Sequence, residues 1–432
     1  MAGTSDVVSL PYGTGALELR IHQGRLRLVE FREAGDPLPP LDAFRASLDR
    51  PSDSPPLEEL ARGRRVVLLI DDATRSEPHE AFARAVMERL GGAARLRCII
   101  ATGSHERTSD GNRRIVSQLR AVARELGLAH TVSIHDCTVA SLHRRLGTTA
   151  RGTPVEISRD ALDADLIMIT SDVKNHYFAG YSNPLKDILP GVSSFAAIEH
   201  NHSLALDPQS TFGRHPWHPD PKRRTNPLAE DMLEAVRMVT ADRDVFVLAA
   251  VTTSAGVAWA RAGAMEPVTR EAFGQVDRIA TAQVVPSPYL IVSPGGDPED
   301  ETLYNAQRGL ELSRNGVLPG GEVLFAAGCG RGMAPTPKAR QEFCDRLAAP
   351  LAQVLAGVER DYVLYSHKAY KFAQMIRSLR AIHMVTDLSA EQVSAVHMTK
   401  AVDAQQVVDR WLAESDAPIL VTTHANKIAL YA

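Results

Sequence analysis

Short runs of consecutive apolar residues alternate with amphipathic stretches through most of the first two thirds of the chain. Uninterrupted apolar runs are typical of strands buried on both faces, whereas apolar residues spaced three or four apart are typical of helices. Strands are expected at residues 66–70, 96–101, 131–135 and 166–170, and helices at 77–90 and 112–126. This alternation predicts a mainly parallel sheet with helices on both faces.

The same alternation returns in the last third of the chain. Strands are expected at 289–292, 323–327, 382–385 and 419–422, and helices at 300–313 and 337–355. A strand pair at 245–251 and 257–260, followed by a helix at 266–281, leads out of the first pattern. We therefore predict an α/β protein of two domains, residues 1–280 and 281–432, each with a mainly parallel sheet flanked by helices. The last strand is a candidate to return to the first domain.

Two further segments have patterns of their own. Residues 8–33 alternate between apolar and polar positions around Gln23-Gly24, which predicts a β-hairpin that turns at this pair. Residues 208–227 are rich in Pro, His, Lys and Arg, which is typical of a surface loop.

Composition and charge narrow the class of protein. The 432 residues include 48 Lys and Arg against 52 Asp and Glu, so the net charge of −4 favours neither nucleic acid nor a membrane surface. No apolar run approaches the roughly 18–20 residues that span a bilayer, and no signal peptide is evident at the N-terminus. The four cysteines form no CxxC pair, which argues against a disulfide scaffold or a thiolate zinc site. A cytoplasmic protein is expected.

Polar residues follow the expected strands at the edge where α/β sheets collect function. His105 and His176 follow separate strands, and two histidines facing one pocket can act as acid and base on opposite faces of a substrate. Asp72 is placed to orient one imidazole, and the Arg75 guanidinium suits a carboxylate. The alternative for each residue alone is structural, as a surface histidine or a solvated ion pair.

The segment 174–191 begins at a strand end, passes several Gly and Pro residues and presents Lys186 before a short apolar run. This punctuation predicts a loop shaped around a ligand. A helix is expected at 192–202, ending in His200-Asn201-His202, where the alternative to a metal pair is an ordinary surface helix end.

Together these motifs resemble those of the nickel-dependent lactate racemase family. The spacing from His176 to Lys186 is ten residues, and from Lys186 to His202 it is sixteen, as in that family. The other matching motifs are Asp72-Ala73-Thr74-Arg75, Gly103-Ser104-His105, Leu189-Pro190-Gly191, Gly295-Gly296-Asp297-Pro298 and Leu303-Tyr304.

The resemblance implies a cofactor and a set of roles. The cofactor is nickel held by pyridinium-3,5-bisthiocarboxylic acid mononucleotide, joined covalently to Lys186, with His202 as the protein ligand of the metal. Thr74 and Ser182 are implied to contact this cofactor. The implied catalytic residues are His105, His176 and Asp72, and the implied substrate-binding residues are Arg75, Tyr304, Asn305 and Arg308.

The implied reaction is racemisation or 2-epimerisation of a 2-hydroxy acid by hydride transfer, in a cleft between the two domains. Expected partners are the hydroxy acid and the cofactor-biosynthesis proteins, and the expected assembly is a monomer or a small homo-oligomer. An ordinary NAD-dependent dehydrogenase is disfavoured because no GxGxxG follows an early strand with an acidic residue about 20 positions on.

Two departures from the family pattern affect what the chain is expected to do. Asn183-Pro184 stands where the family has two glycines, which favours the alternative of a non-catalytic relative that binds a nucleotide or hydroxy acid without turnover. Asn305 and Arg308 stand where the lactate enzymes have Gln and Lys. Arginine grips a second carboxylate or a polyol more readily than lysine, so a substrate other than lactate is expected, unless Arg308 merely conserves the charge.

Overall fold

The computed structural model describes residues 5–29, 37–75, 77–253 and 255–432. It divides into two compact units. The central unit is Glu33–Arg278, and the terminal unit combines Met1–Arg32 with Ile279–Ala432.

In chain order the strands are β1 (Ser5–Tyr12), β2 (Gly15–His22), β3 (Leu26–Val29), β4 (Arg65–Asp71), β5 (Arg95–Ala101), β6 (His130–Ile134), β7 (His143–Thr148), β8 (Pro154–Ser158), β9 (Leu166–Asp172), β10 (Lys174–His176), β11 (Gly180–Ser182), β12 (Asp244–Thr253), β13 (Gly256–Gly263), β14 (Thr281–Gln283), β15 (Ser287–Val292), β16 (Val317–Ala326), β17 (Ala381–Val385), β18 (Thr399–Lys400), β19 (Ile419–Thr422) and β20 (Ala429–Tyr431).

The α-helices are α1 (Pro40–Leu48), α2 (Leu57–Ala61), α3 (His79–Met87), α4 (Asp110–Glu125), α5 (Arg159–Leu162), α6 (Leu185–Ile188), α7 (Phe195–Ser203), α8 (Pro227–Thr240), α9 (Met265–Ala280), α10 (Leu303–Ser313), α11 (Pro337–Ala339), α12 (Leu351–Arg360), α13 (Ser366–Ser378), α14 (Ala390–Ala395) and α15 (Ala404–Glu414).

The central unit is built on a six-stranded sheet in the order β13-β12-β9-β4-β5-β6. All of its pairings are parallel except that of β13 with β12. The middle strand β4 is buried on both faces: Leu68 packs with Phe44 and Phe82 in one core, and α6 packs near the strand on the other side. A strand covered on both faces has no solvent side for polar residues. This explains the continuous apolar runs, as the sequence predicted.

The terminal unit contains a second six-stranded sheet, in the order β18-β17-β16-β15-β19-β3, with parallel pairings throughout. The hairpin β1–β2 packs Leu10, Leu19 and Ile21 into the core formed with Ile291 and Trp411. The α/β class with parallel-dominated sheets is confirmed.

The N-terminal segment differs from its prediction. The hairpin turns at Gly13-Thr14, where Gly13 has φ of +52°. The chain also turns at Gln23-Gly24, but the prediction that this turn closes a β-hairpin is wrong. The strand after Gln23-Gly24 is β3, which pairs in parallel with β19 because its apolar residues complete the terminal sheet. The predicted domain of residues 1–280 is therefore corrected at its start, since Met1–Arg32 belongs to the terminal unit.

Three other predictions need correction. The last strand, β20, pairs with β14 within the terminal unit and does not return to the first domain. The single helix expected at 337–355 is broken: a π-helical segment, Arg340–Asp345, follows α11, and α12 begins only after Pro350. The sequence reasoning also missed several elements, namely the hairpin β7–β8 and the helices α8, α13 and α15. No helix among the described residues is long and apolar enough to cross a membrane.

Candidate active site

Strands β9, β4 and β5 are neighbours in the central sheet and run parallel, so their carboxyl ends lie along one edge. Asp72 directly follows β4, and His105 lies in the turn after β5. The hairpin β10–β11, which carries His176, follows β9 after one residue. The sheet therefore brings together groups that are a hundred residues apart in the chain.

The buried carboxylate of Asp72 pairs with the partly exposed imidazole of His105. Nδ1 of His105 lies 2.9 Å from Oδ2 of Asp72, and the Thr74 hydroxyl donates to Oδ1 at 2.5 Å. Burial by itself would raise the pKa of Asp72, but the His105 charge and hydrogen bond, then Arg75 and Thr74, lower it to about 2. The ionised carboxylate places the His105 proton on Nδ1 and leaves Nε2 as the basic nitrogen.

The loop that carries Asp72 is held by the loop that carries His105. The side chain of Asn112, in the first turn of α4, accepts from the Ala73 amide at 2.9 Å and donates to the Glu106 carbonyl at 3.0 Å. Among the described residues, no hydrogen bond or ion pair engages the Arg75 guanidinium. This cation is therefore available for an anionic ligand next to the Asp72–His105 pair.

His176 lies at the end of β10, opposite Gly180 of β11. Its Nδ1 accepts a hydrogen bond from the Ala179 amide at 3.2 Å, and its Nε2 lies 3.2 Å from Nζ of Lys186. Phe178 meets the imidazole edge-on, with ring centroids 4.5 Å apart. The backbone amide is a fixed donor, so Nδ1 accepts, while Nε2 faces the Lys186 side chain.

Lys186 is buried on the short helix α6, and Asn183-Pro184 forms the turn that starts this helix. The Asn183 side chain accepts from the Leu185 amide at 3.0 Å, and its carbonyl accepts from the Lys186 amide at 2.9 Å. Pro184 has φ of −55° and ψ of −25°, which are helical values. The departure from the usual glycines is thus accommodated by a capped helical turn.

His202 lies near the end of α7, where Phe178 meets its ring with centroids 5.2 Å apart. Burial, then the positive charges of Lys186 and His105, lower the pKa of His202 to about 3. The imidazole is therefore neutral at physiological pH, which is the form that binds a metal. Because the charges of Lys186 and His105 shift the pKa of His202, both residues lie close enough to His202 to interact with it electrostatically.

Two glycine-containing motifs that carried the resemblance meet at this site. The Gly103 amide donates to the Gly191 carbonyl at 3.0 Å, and a Cβ on Gly103, which has φ of +53°, would lie 3.3 Å from Pro190. A Cβ on Gly191 would lie 2.2 Å from the Asp187 carbonyl oxygen. The glycines thus allow the His105 loop and the Lys186 segment to pack against each other.

Ser182, predicted to contact the cofactor, is buried on β11 opposite Lys174. The preceding residue, Tyr181, donates from its hydroxyl to Asp277 at 2.7 Å, and Asp277 also lies 3.0 Å from Nε2 of His218. These contacts link β11 to Asp277 of α9.

The site contains three further carboxyls, those of Asp71, Glu77 and Asp187. The sequence reasoning missed Glu77 and Asp187. Burial, joined by repulsion between the carboxylates, raises the pKa values of Asp71, Glu77 and Asp187. Arg75 and Lys186 oppose this effect at Asp187. The two cations of the site thus lie beside an acidic cluster.

The remaining predicted residues lie on α10 of the terminal unit. Tyr304 meets Phe343 edge-on at 5.8 Å, and burial raises the pKa of its hydroxyl. The backbone N–H of Asn305 donates to the hydroxyl of Thr302, the N-cap of α10, at 3.3 Å, and the Asn305 side chain donates to Glu301 at 3.4 Å. Arg308 is one turn further along α10. The structure thus groups these three residues on one helix of the terminal unit.

Among the described residues, no group of three or more His, Cys, Asp or Glu side chains is arranged to hold a metal ion. His202 is the metal ligand that the resemblance implies, and its neutral imidazole fits that role.

Comparison with known proteins agrees with this geometry. Residues 12–213 match the family described as lactate racemase N-terminal domain. The chain is 26% identical to a lactate racemase of Thermoanaerobacterium thermosaccharolyticum over 334 residues, which are 75% of each chain. It is 27% identical over 291 residues to a lactate racemase of Lactiplantibacillus plantarum, covering 65% of this chain and 64% of the relative.

A solved structure, the lactate racemase apoprotein from Thermoanaerobacterium thermosaccharolyticum, shares the fold with a TM-score of 0.86. The similarity covers 99% of this chain and 100% of the other at 23% sequence identity. The chain is thus similar in sequence to lactate racemases and shares the fold of one of them.

Proposed function

We propose that the protein is a racemase or 2-epimerase of a 2-hydroxy acid other than lactate, acting through a nickel-pincer nucleotide tethered to Lys186. The observation that carries this proposal is the grouping of two histidines, a buried lysine and a neutral buried histidine at one edge of the central sheet. The racemase class follows from the curated relatives, both of which are lactate racemases.

The two histidines supply the proton transfers. His105 presents a basic Nε2 because Asp72 takes the Nδ1 proton in a hydrogen bond, so it can accept the hydroxyl proton of one enantiomer. His176 is the proposed proton donor on the other face, in its protonated form. Arg75, with its guanidinium available, holds the substrate carboxylate in a bidentate contact while the planar keto acid turns.

The chain's own residues fit the cofactor. Lys186 is buried, and its amine points towards His176, so a group joined to it would lie beside the proton-transfer residue. His202 offers a neutral imidazole to nickel, while Thr74 and Ser182 are the remaining residues proposed to contact the nucleotide. When bound, the cofactor accepts the hydride from the substrate carbon and returns it.

The proposed substrate preference rests on residues of the terminal unit. Tyr304, Asn305 and Arg308 are the proposed substrate-binding residues there, and the amide and guanidinium differ from the Gln and Lys of the lactate enzymes. A planar cation with five donors suits a second polar group on the substrate. The proposed partners are therefore a polar hydroxy acid and the proteins that make the cofactor, in a cytoplasmic setting.

Intact-mass measurement after co-expression with the cofactor-making proteins tests the proposal. We expect a mass increase that is lost in Lys186→Ala and retained in the control Lys222→Ala, which changes an exposed lysine. The loaded enzyme should then invert malate, gluconate or an aromatic 2-hydroxy acid faster than lactate.

The absence of an adduct under all loading conditions would favour the non-catalytic alternative. A clear preference for lactate would overturn the substrate proposal and leave the cofactor proposal intact.

A further inference from the structure

The ring of Phe178 lies against three of the side chains proposed to act at the site. The His176 imidazole is 4.5 Å away between ring centroids, at an interplanar angle of 86°. The His202 imidazole is 5.2 Å away at 70°, and Nζ of Lys186 stands over the ring, 5.6 Å from its centroid. One aromatic side chain therefore links a proposed proton-transfer residue, the buried lysine and the proposed metal ligand.

The geometry of these contacts is attractive, and the ring is closely packed. Near-perpendicular ring pairs at roughly 4.5–7 Å, and a cation within about 6 Å of a ring face, both complement the charge distribution of an aromatic ring. Phe178 is 4% exposed, and the Tyr177 ring packs against it at 4.7 Å and 83°. In such a packed interior the ring cannot turn without displacing its neighbours.

The backbone of Phe178 is held by a residue from another part of the chain. Asn226 is the N-cap of α8, where its side-chain oxygen accepts from the Ala229 amide at 3.1 Å. Its side-chain nitrogen donates to the Phe178 carbonyl at 3.0 Å and to the Arg214 carbonyl at 3.1 Å. Asn226 is fully buried, so these hydrogen bonds form in a medium of low dielectric constant, where they are strong.

The turn of the β10–β11 hairpin is supported by the same part of the chain. The Gly213 amide donates to the Gly180 carbonyl at 3.1 Å, and a Cβ on Gly180, which has φ of +81°, would lie 1.9 Å from the Arg214 carbonyl oxygen. Residues 208–227, whose composition predicts a surface loop, thus pack against this hairpin. Helix α8, which follows them, also packs against α6 and α7.

We propose that Phe178 is a positioning residue for the three side chains that its ring contacts. The ring restricts the rotamers of His176 and His202 and keeps both imidazoles beside the Lys186 side chain. Asn226 fixes the Phe178 backbone, which makes the position of the ring a property of the folded chain. The roles of the three contacted residues rest on the proposed function, whereas the positioning itself needs no cofactor.

The first test uses the full chain without cofactor and compares Phe178→Leu with Phe82→Leu. Phe82 is a fully buried residue of the same unit that stacks on Phe44, so the control removes the same ring from another core. In NMR spectra of protein with ¹³C-labelled histidine, we expect Phe178→Leu to broaden or double the imidazole signals of His176 and His202. Phe82→Leu should leave these signals single and sharp.

Single, sharp signals in Phe178→Leu, or equal broadening in both variants, would overturn the proposal. Should Phe178→Leu fail to fold by circular dichroism, Asn226→Ser decides the question. Serine retains the N-cap oxygen of α8 but cannot donate to the Phe178 carbonyl as the amide does, so the same broadening is expected. Unchanged signals in Asn226→Ser would then overturn the proposal.

In the loaded enzyme, nickel retention separates positioning from stability. Removing a group that orients a metal ligand typically weakens metal binding by about 10–100-fold. We expect Phe178→Leu to release nickel to a chelator at least about tenfold faster than the wild type, and to lower kcat about tenfold with KM within about twofold. Phe82→Leu should retain nickel as the wild type does.

Equal nickel release by the two variants would contradict the positioning role. The absence of an adduct at Lys186 in the wild type would instead overturn the proposed function. The NMR comparison would remain valid in that case, so the two failures are distinguishable.

Discussion

His105 and His176 are proposed to perform matching proton transfers, yet they lie in different surroundings. His105 follows β5, is about two-fifths exposed and donates to an ionised carboxylate. His176 lies on a short hairpin, packs against Phe178 and accepts from a backbone amide, with an amine facing its other nitrogen. The two rings therefore differ in the role of Nδ1, which donates to a carboxylate in His105 and accepts from a backbone amide in His176.

The proposed proton-transfer residues are therefore not a symmetric pair, although they are proposed to serve opposite enantiomers. The carboxylate fixes one ring orientation through a charge, whereas the backbone and the Lys186 segment fix the other. Changes at Asp72 should therefore affect one histidine, and changes in residues 183–186 should affect the other. Four predictions separate the two regions.

The largest effect is expected from removing either imidazole. His105→Ala and His176→Ala should each lower kcat/KM for inversion by about 10²–10⁴-fold, because each removes one general acid–base group. Single-turnover formation of keto acid should persist from one enantiomer in His105→Ala and from the opposite enantiomer in His176→Ala. Chiral chromatography after rapid quench measures both quantities.

The control for this pair is His200→Ala, since His200 is on α7 but bonds to the Arg151 carbonyl at 3.0 Å. Its rates should match the wild type. Loss of the same enantiomer in both active-site variants would contradict the assignment of the two histidines to opposite faces.

A smaller effect is expected from Asp72→Asn, which keeps the shape but removes the charge that sets the His105 tautomer. Activity should fall by about 10²-fold, and single-turnover loss should be confined to the enantiomer that depends on His105. An equal loss for both enantiomers would show that Asp72 serves the whole site.

The same substitution should change acid stability. The pKa of Asp72 is about 2 in the folded protein, below its usual value of 3.8. The ionised carboxylate therefore stabilises the folded protein fully at pH values above 3.8. This contribution of about 2 kcal/mol is lost as pH falls from about 4 through 2. Urea unfolding at several pH values should show the loss in the wild type, and Asp72→Asn should lack this contribution. Identical pH profiles would contradict the ion-pair assignment.

The smallest effect is expected from Asn183→Gly. Removing the side chain that caps α6 should destabilise the fold by about 1 kcal/mol, while adduct formation at Lys186 continues. Thermal unfolding and intact mass measure these outcomes, and Ser389→Ala, which removes the cap of α14, is a matched control for the stability change. Loss of the adduct in Asn183→Gly alone would show that this turn places the lysine.

The fold class and most of the candidate site could be predicted from the sequence because both depend on local signals. The strands at β4, β5 and β9 are continuous apolar runs, and their polar ends mark the functional edge of the sheet. The lysine and histidine spacings lie within one segment, so they do not depend on the order of the strands in the sheet. The N-terminal strand β3 could not be placed this way, because its partner β19 is nearly 400 residues away.

Phe178 shows most clearly what only the tertiary structure decided. The sequence by itself determined the α/β class, the order of the polar strand ends and the segment from His176 to His202. It contained no local sign that Phe178 would contact His202 and have its carbonyl bound by Asn226, because such contacts depend on which segments pack together. The different roles of Nδ1 in His105 and His176 were likewise set by partners that the folded chain supplies, a carboxylate from the end of β4 in one case and a backbone amide in the other.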